Sequence, residues 1–451
     1  MLENIIDRRN VENALERVIA NRGTGGVDGM QVEELCPFIN THYQQLRSSI
    51  LEGSCQPQPV KKVEIPKPHG GKRMLGIPTV IERVIQQCIN QVLNPKYDVT
   101  FDEWSYGFRP ACNAHQAVLQ AQQFLEEGYE WTIELDLEKF FDKVNHDKLM
   151  GILMKEIKDT RVLKLIRSYL SVGIMEGGVS SISTEGTTQG SPLSPLLSNI
   201  ILDKLDKELR KRGHRFVRYA DDCTIYVKSE RSANRVAESI TKYIEEELKL
   251  KVNKEKTRIG GGNGSNLLGY SFIKYKGIWK PIISKRSSDK VKEKCKAITG
   301  LSIGKSIEEQ IKELQKIIPG LVNYFNLAFA NKVFEMLDKS IRTRLRINVW
   351  KHWKNPSTRA RQLIKLGIPQ GEAYRWGHSS KGYCRVAHSK ILFISLNNTG
   401  GNKDTRGLLI HSKRSKEYRC HYSNKPPCTG RYARWCERTG SELIATFLLD
   451  R

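Results

Sequence analysis

The amino-acid sequence predicts an α+β fold, in which a first part with a mixed sheet and helices is followed by an all-helical part. The segment WTIELDL (131–137) alternates apolar and polar residues in the manner of a core strand. FVRYADDCTIYV (216–227) has two apolar runs around an Asp-Asp turn, which is typical of a β-hairpin. After residue 284 the apolar spacing is mainly helical. At 451 residues the chain is too long for one ordinary domain, so two or three domains are expected.

The other elements are predicted from apolar periodicity and from the positions of Gly and Pro. The sequence indicates a helix from the first residue to the glycine-rich turn NRGTGGVDG, and a hairpin over 60–80 that turns at HGGK. Short strands are expected between 250 and 283. Further helices are predicted over 31–52, 80–96, 232–249, 287–299, 306–327 and 331–352.

The charge is strongly positive and unevenly distributed. The formal net charge is +25, and residues 281–451 contain 34 Lys and Arg against 13 Asp and Glu, whereas residues 1–280 contain 40 against 36. A basic excess of this size indicates a polyanionic partner, either nucleic acid or an anionic membrane face. The concentration of positive charge in the second part favours a compact catalytic body followed by a part that binds a nucleic-acid backbone. The alternative is a surface that is charged only for solubility.

Composition also argues against several classes of protein. No stretch reaches the ~18 uncharged apolar residues of a membrane span, so we expect no membrane partner. The first residues contain Asp, Glu and Arg, which a secretory signal does not. The ten cysteines include no CxxC pair, a pattern that suits reduced thiols. The expected location is therefore the cytosol.

Three aspartates are the first candidates for catalysis. Asp136 ends a predicted strand, and Asp221 and Asp222 lie at the tip of a predicted hairpin. Two-metal phosphoryl transfer needs hard oxygen ligands on rigid neighbouring strands, and these residues meet at one sheet edge if the strands are adjacent. An Asp pair in a turn also occurs for local hydrogen bonding alone. The apolar runs on both sides favour the metal site, because two buried like charges need a compensating cation.

The sequence around these aspartates resembles the YxDD signature of reverse transcriptases. The chain is similar to the bacterial group II intron-encoded reverse transcriptases/maturases of the endonuclease-lacking type, and its matching segments follow one another in the order found in that family. The matching segments are NRGTGGVDGM (21–30), VEIPKPHGGKRMLGIPTVIERVIQQ (63–87), SYGFRP (105–110), LDLEKFFDKVNHDKL (135–149), TTQGSPLSPLLSNIILDKLD (187–206), RYADD (218–222), LKLKVNKEKT (248–257) and LLGYSF (267–272).

The resemblance implies a right-hand polymerase, with fingers and palm built from mixed sheet and helices, followed by an all-α thumb/maturase domain. It implies an N-terminal extension and fingers over 1–130, a palm over 131–283 that is partly interleaved with the fingers, and a helical thumb/maturase (X) domain over 284–395. Residues 396–451 form a basic tail whose role the sequence leaves open.

The resemblance also implies roles for the site residues. Asp136 and Asp221 are expected to bind two Mg²⁺ ions directly, with Mn²⁺ as a substitute, and the Leu137 carbonyl is a further oxygen ligand. Asp222 is expected to be a supporting catalytic carboxylate, so the three aspartates have unequal roles.

Six residues are expected to bind the incoming dNTP. Lys67 and Arg73 flank the glycine turn of the fingers hairpin and match positions that hold the triphosphate. Phe141 matches the ring that excludes a ribose 2′-OH, whereas Phe140 is interpreted as core. Gln189 and Gly190 are placed against the nascent base pair, although Thr188 stands where the family more often has Pro. Lys256 is a candidate general acid for the leaving pyrophosphate, or an ordinary surface lysine.

The nucleic acid itself is expected to contact Lys61 and the cations of the thumb helix. These are Arg342, Arg344, Arg346 and Lys351. The aromatic residues Trp350 and Trp353 either follow the duplex or pack as core, and Tyr324 and Phe325 are interpreted as core.

The sequence predicts an RNA-directed DNA polymerase that also assists group II intron splicing and retrohoming. The partners expected are group II intron RNA, an RNA template with a DNA primer, a DNA target and dNTPs. No HNH-type endonuclease pattern is present, and the spacing of Cys420, Cys428 and Cys436 does not indicate a zinc site. Two alternatives stay open: a reverse transcriptase recruited to defence or repair, and a splicing-only maturase with a vestigial polymerase site.

Overall fold

The computed structural model describes residues 1–66, 72–176, 179–181, 185–301 and 304–396. The chain divides into two compact units, one from Met1 to Ser265 and one from Asn266 onward. The first unit combines sheets with helices. The second has one small sheet followed, over its described residues, by helices. The predicted order of a mixed α/β part and a helical part is confirmed.

Over its described residues, the first unit has two four-stranded sheets. Its strands are β1 (Val60–Pro66), β2 (Lys72–Ile77), β3 (Trp131–Leu135), β4 (Ile174–Glu176), β5 (Val179–Ser181), β6 (Arg215–Tyr219), β7 (Asp222–Val227) and β8 (Arg258–Gly261). The first sheet has the order β2-β1-β4-β5 and the second β6-β7-β3-β8. Strand β3 therefore lies inside the second sheet, antiparallel to both β7 and β8.

Ten helices of the described residues surround these sheets. They are α1 (Leu2–Ile5), α2 (Arg8–Ala20), α3 (Leu35–Glu52), α4 (Val80–Asp98), α5 (Ala114–Glu126), α6 (Phe140–Lys143), α7 (His146–Glu156), α8 (Thr160–Ser171), α9 (Ser194–Lys211) and α10 (Glu230–Glu246). Ile133 and Leu135 of β3 and Ile225 of β7 are buried, and Phe216 of β6 packs edge-on against Trp104 at 5.6 Å between ring centroids.

Two sequence predictions in the first unit need correction. The helix expected from the first residue is two helices, because the Asp7 carboxylate accepts the Arg9 N–H and caps a new helix at Arg8. The helix expected over 31–52 begins only at Leu35, after a short 3₁₀ turn over Val32–Glu34. Strands β1 and β2 pair antiparallel, as predicted for the hairpin over 60–80, whereas residues 69–71 of its predicted HGGK turn lie outside the described residues.

The second unit begins with an antiparallel sheet of β9 (Asn266–Leu267), β10 (Tyr270–Tyr275) and β11 (Ile278–Ile283). Its helices are α11 (Lys285–Ile298), α12 (Ile307–Tyr324), α13 (Asn331–His352), α14 (Pro356–Lys365), α15 (Gln370–Gly377), α16 (Tyr383–Ala387) and α17 (Lys390–Ser395). The Tyr324 hydroxyl donates to the Leu268 carbonyl at 2.8 Å. Trp350 lies in an apolar core with Leu363 and Leu392. Tyr324, Phe325 and Trp350 are therefore core residues, as predicted for the first two.

Candidate active site

The three aspartates lie at one edge of the second sheet of the first unit. Leu135, the last residue of β3, pairs with Cys223 of the antiparallel strand β7. The next residue, Asp136, is therefore close to Asp222, where β7 begins. Tyr219 pairs with Asp222, which leaves Ala220 and Asp221 as the two loop residues of the hairpin. All three aspartates are partly exposed. The register thus brings together the carboxylates that the sequence proposed as a set.

The backbone beside Asp136 is held by the segment that leads to β8. The Asp136 carbonyl accepts the Asn253 N–H at 2.8 Å, and the Asp136 N–H donates to the Thr257 hydroxyl at 3.4 Å. Leu137 forms an isolated bridge with Val252. Lys256 is exposed in the same short turn, where its N–H donates to the Asn253 side chain at 3.2 Å. The turn that bears Lys256 is therefore anchored at both ends to the backbone of Asp136.

A buried ion pair lies behind the hairpin tip, and no role was predicted for it from the sequence. Arg218 and Asp206 are both fully buried, and the Arg218 guanidinium donates to the Asp206 carboxylate at 2.6 and 2.8 Å. Another guanidinium N–H donates to the Ala220 carbonyl at 2.9 Å. Burial alone lowers the pKa of Arg218, but the adjacent Asp206 carboxylate raises it overall, so the arginine stays charged.

The same arginine is linked to the SYGFRP segment. It donates to the Asn199 side-chain oxygen at 2.9 Å, and the Asn199 amide donates to the Gly107 carbonyl at 2.9 Å. A Cβ atom on Gly107 would lie 2.1 Å from the Ala220 nitrogen, so only glycine fits here. Ala220 has a φ of 56°, which is costly for a residue with a side chain. We call Arg218, Asp206, Asn199 and Gly107 the tip clamp, because together they hold this strained turn.

The sequence contained a signal for the tip clamp. Arg218 is a charged residue inside an apolar strand, between Val217 and Tyr219, and Asp206 lies among the apolar positions of α9 next to Leu205. A buried charge of each sign implies a partner, since an unpaired one is strongly unfavourable. The pairing itself required knowledge of how α9 packs on β6.

Three of the residues proposed for nucleotide binding, Phe141, Gln189 and Gly190, lie in or beside the loop that precedes α9. The Gly76 N–H of β2 donates to the Gln189 carbonyl at 3.0 Å, and the Thr187 N–H donates to the Phe141 carbonyl at 2.5 Å. Gly190 has a φ of 112°, and a Cβ there would lie 3.0 Å from the Gly76 carbonyl. Phe141 is half-buried. Strand β2, the TTQG loop and the Phe141 segment are thus joined by backbone hydrogen bonds.

The neighbouring residues that the sequence singled out lie in different environments. Phe140 is buried, as predicted for a core residue. Lys61 is exposed on β1, where it pairs with Ile77. Arg73 lies in β2 opposite Ile65. Lys67 lies outside the described residues, as do the cysteines of the tail.

The thumb cations proposed to bind nucleic acid make contacts within their own unit. Arg344 donates to the Thr299 hydroxyl at 2.7 Å and to the Lys296 carbonyl at 3.2 Å. The other three have partners too: Arg342 pairs with Asp338 at 2.8 Å, the Arg346 guanidinium lies 4.7 Å from the Phe393 ring centroid, and Lys351 donates to the Leu301 carbonyl at 2.9 Å. These cations therefore stabilise helix packing as well as adding positive charge.

The donor set at the sheet edge fits a hard divalent cation. Mg²⁺ is commonly held by one or two carboxylates, with substrate phosphates and waters completing its coordination. Among the residues with described positions, no group of three or more His, Cys, Asp or Glu forms a ready-made metal cage. Burial raises the pKa of the neighbouring Cys223 thiol, so a soft thiolate does not compete at neutral pH. The carboxylates of Asp136 and Asp221 are oxygen donors of the type that Mg²⁺ prefers.

Comparison with known proteins adds two family matches. Residues 65–272 match the family "Reverse transcriptase (RNA-dependent DNA polymerase)", and residues 288–367 match "Group II intron, maturase-specific domain". Members of the first family generally use divalent metal ions. In the described parts of the chain, no helix has the length and apolar character needed to cross a membrane.

The chain is also similar to individual known proteins. The chain is 32% identical to Protein YkfC of Escherichia coli (strain K12), over 56% of this chain and 76% of that protein. It is 27% identical to the group II intron-encoded protein LtrA of Lactococcus lactis subsp. cremoris, over 57% of this chain and 54% of LtrA, so it spans about half of LtrA's length. A solved structure, the partial Cas6-RT-Cas1–Cas2 complex, is similar with a TM-score of 0.36 and 24% identity, over 55% of this chain and 42% of that chain.

Proposed function

Because the chain belongs to the reverse transcriptase family and carries a group II intron maturase-specific domain, we propose that it copies an RNA template into DNA and assists the splicing of a group II intron. The observation that supports the polymerase proposal most is the pairing of β3 with the β6–β7 hairpin, since this pairing brings Asp136, Asp221 and Asp222 to one edge.

In this proposal the aspartates bind two Mg²⁺ ions, for which Mn²⁺ can substitute. When bound, the ions lower the pKa of the primer 3′-OH and stabilise the charge that develops on the triphosphate. Asp136 and Asp221 contribute carboxylate ligands, and the Leu137 carbonyl contributes a further oxygen. Asp222 supports them electrostatically. The tip clamp fixes the backbone of Ala220, and therefore limits where the next residue, Asp221, can place its carboxylate.

The nucleotide is proposed to bind between the fingers hairpin and the TTQG loop. Lys67 and Arg73 hold the triphosphate, and Gln189 and Gly190 present backbone groups near the new base pair. Phe141 excludes a 2′-OH by steric contact. Lys256, on a turn fixed to the Asp136 backbone, donates a proton to the leaving pyrophosphate.

For the maturase activity, we propose that the protein stabilises the folded intron, while the RNA itself performs splicing. The strongly basic region after residue 280 supplies the sequence-independent attraction to phosphates. Lys61 and the α13 cations Arg342, Arg344, Arg346 and Lys351 are proposed to contribute to it.

The proposed partners are the intron RNA, an RNA template with a DNA primer, a DNA target and dNTPs. The proposed domain division is 1–130, 131–283, 284–395 and 396–451, and the proposed location is the bacterial cytosol.

Primer extension on an RNA template with Mg²⁺ and dNTPs tests the polymerase proposal. Wild-type protein should extend the primer, and Asp136→Ala should extend it orders of magnitude more slowly. Equal rates for the two proteins would contradict the assignment.

A splicing assay at limiting Mg²⁺ separates the two activities. The Asp136→Ala variant should stimulate intron splicing as well as wild type does, because the maturase activity uses a binding surface and not the carboxylates. A splicing factor with a vestigial polymerase site would instead stimulate splicing while even the wild-type protein failed to extend a primer.

A further inference from the structure

The β10–β11 hairpin of the second unit has two very different faces. Its inner face carries Tyr270, Phe272 and Trp279, which are almost completely buried. On the outer face, Tyr275 is 43% and Ile278 54% exposed, and these two residues are direct cross-strand partners. The outer face of a solvated antiparallel sheet is normally polar. The core is already formed by the inner face, so the exposed aromatic residue is not explained by folding.

A third exposed apolar residue extends this surface. Phe329, 41% exposed, follows α12, and its N–H donates to the Pro281 carbonyl of β11 at 2.7 Å. Its ring lies 5.6 Å from that of Tyr275 between centroids, with an interplanar angle of 32°. We refer to Tyr275, Ile278 and Phe329, with Lys276 and Lys280, as the Tyr275 patch.

The two lysines lie against the aromatic rings. The Lys280 ammonium is 4.6 Å from the Phe329 ring centroid and 5.4 Å from that of Tyr275, and the Lys276 ammonium is 5.7 Å from that of Tyr275. Cations at such distances are attracted by the electron-rich ring faces. Residues 270–283 contain no Asp or Glu. The patch thus combines partly exposed aromatic rings with positive charge and has no acidic residue of its own hairpin to repel a polyanion.

This chemistry selects one kind of partner. Exposed apolar groups rimmed by charge mark interaction surfaces, and rings interleaved with cations are the combination that binds unpaired bases together with their phosphates. A duplex keeps the faces of its bases stacked inside and presents only its backbone and the base edges in its grooves. We propose that the Tyr275 patch binds single-stranded nucleic acid, with bases stacked on Tyr275 and Phe329 and phosphates held by Lys276 and Lys280.

This inference rests on the proposed function, because the expected ligand is the unpaired part of the RNA template that the polymerase copies. Within the second unit the patch adds exposed aromatic residues to the positive charge of α13, whose Arg344 and Lys351 also donate to backbone carbonyls of their own unit. Unpaired DNA has the same bases and phosphates, so RNA and DNA are separate arms of the test.

The test measures fluorescence anisotropy of the full chain with a labelled, unstructured RNA, with a DNA of the same sequence, and with an RNA duplex. Mg²⁺ and dNTPs are left out, so binding is read independently of polymerisation. Tyr275→Ala and Phe329→Ala should each weaken single-strand binding roughly 5- to 150-fold, since each removes one stacking platform. Tyr275→Phe, which keeps the ring, should bind nearly as wild type does. Lys280→Ala should lower the salt slope by about one.

Tyr374→Ala is the matched control, because Tyr374 is an equally exposed tyrosine of the same unit on α15. It should bind as wild type does, and duplex binding should change little in any variant. The proposal is overturned if Tyr275→Ala and Phe329→Ala bind single strands as wild type does, or if they lose single-strand and duplex binding equally. Sedimentation that shows a dimer for wild type and a monomer for Tyr275→Ala, with unchanged RNA binding, would assign the patch to a second copy of the chain. Wild-type primer extension decides the proposed function separately.

Discussion

The sheet edge of the first unit and the basic helices of the second unit use charged residues in opposite ways. At the sheet edge a few carboxylates project from strands whose backbone is fixed by the tip clamp and by the turn around Asn253. In the second unit positive charge is abundant, yet cations such as Arg344 are bound to groups of their own unit. A catalytic site depends on where a few charges are held, whereas affinity for a polyanion depends on how many there are.

The largest expected effect comes from breaking the tip clamp. Arg218→Ala leaves Asp206 buried without its partner, and should lower the free energy of unfolding by about 3–5 kcal/mol. Urea denaturation followed by circular dichroism measures this. In the double variant Arg218→Met/Asp206→Leu, an apolar pair replaces the ion pair, so most of the stability should return.

The double variant also separates stability from positioning. It lacks the hydrogen bond to the Ala220 carbonyl, so it should need more Mg²⁺ for half-maximal extension even where it is fully folded. A folded double variant with the wild-type Mg²⁺ dependence would show that the clamp only stabilises the fold.

The next effect concerns the core of the second unit. Leu363 is fully buried beside Trp350, so Leu363→Ala should cost about 3 kcal/mol of stability. Its neighbour Ile364 is 39% exposed, and Ile364→Ala should change stability by less than about 0.5 kcal/mol. Hydrogen exchange should show the loss of protection in α13–α17. Equal losses for the two variants would contradict the packing described for α14.

A smaller effect is expected at the nucleotide site. Phe141→Ala should reduce discrimination against ribonucleotides by on the order of tenfold, because the proposed steric contact with the 2′-OH is lost. The ratio of kcat/KM for a dNTP and the matching NTP measures this. Phe141 is only half-buried, so the Phe141→Ala variant should melt near the wild-type temperature, and its melting temperature serves as the control for folding. An unchanged ratio would remove Phe141 from the site.

The smallest effect distinguishes structural from binding cations. Arg344→Ala should lower stability by about 1–2 kcal/mol, because it removes charged hydrogen bonds to Thr299 and Lys296. Its effect on RNA affinity should be minor. Lys276→Ala, on an exposed turn, should show the reverse pattern. If Arg344→Ala lost RNA affinity without losing stability, the main role of Arg344 would be RNA binding and not its contacts with Thr299 and Lys296.

The sequence predicted the strands of the site well and the surroundings of the site poorly. Strand β3 and the β6–β7 hairpin follow from local alternation of apolar residues, and the resemblance to reverse transcriptases supplied the proposed roles of their aspartates. The link from Arg218 to Asp206 and Asn199 could not be predicted, because it depends on how α9 packs against β6.

The same limit applies to the second unit. Charge counting correctly marked it as basic, but it could not tell that Arg344 contacts Thr299 or that Tyr275 is exposed. Periodicity also missed the break at Asp7, where a side-chain cap begins a new helix within an apparently continuous pattern. Local patterns predict elements, while partners that are distant in sequence decide what each charged group does.

We propose that Asp136 and Asp221 bind metal directly and that Asp222 supports them. Single-turnover incorporation of one dNTP on an RNA template, measured across a Mg²⁺ titration for Asp136→Asn, Asp221→Asn and Asp222→Asn, tests it most directly. We expect the first two variants to lose at least about a thousandfold in rate and the third to lose clearly less, with all three melting near the wild-type temperature. A rate for Asp221→Asn close to wild type, or a loss in Asp222→Asn that exceeds it, would contradict the account.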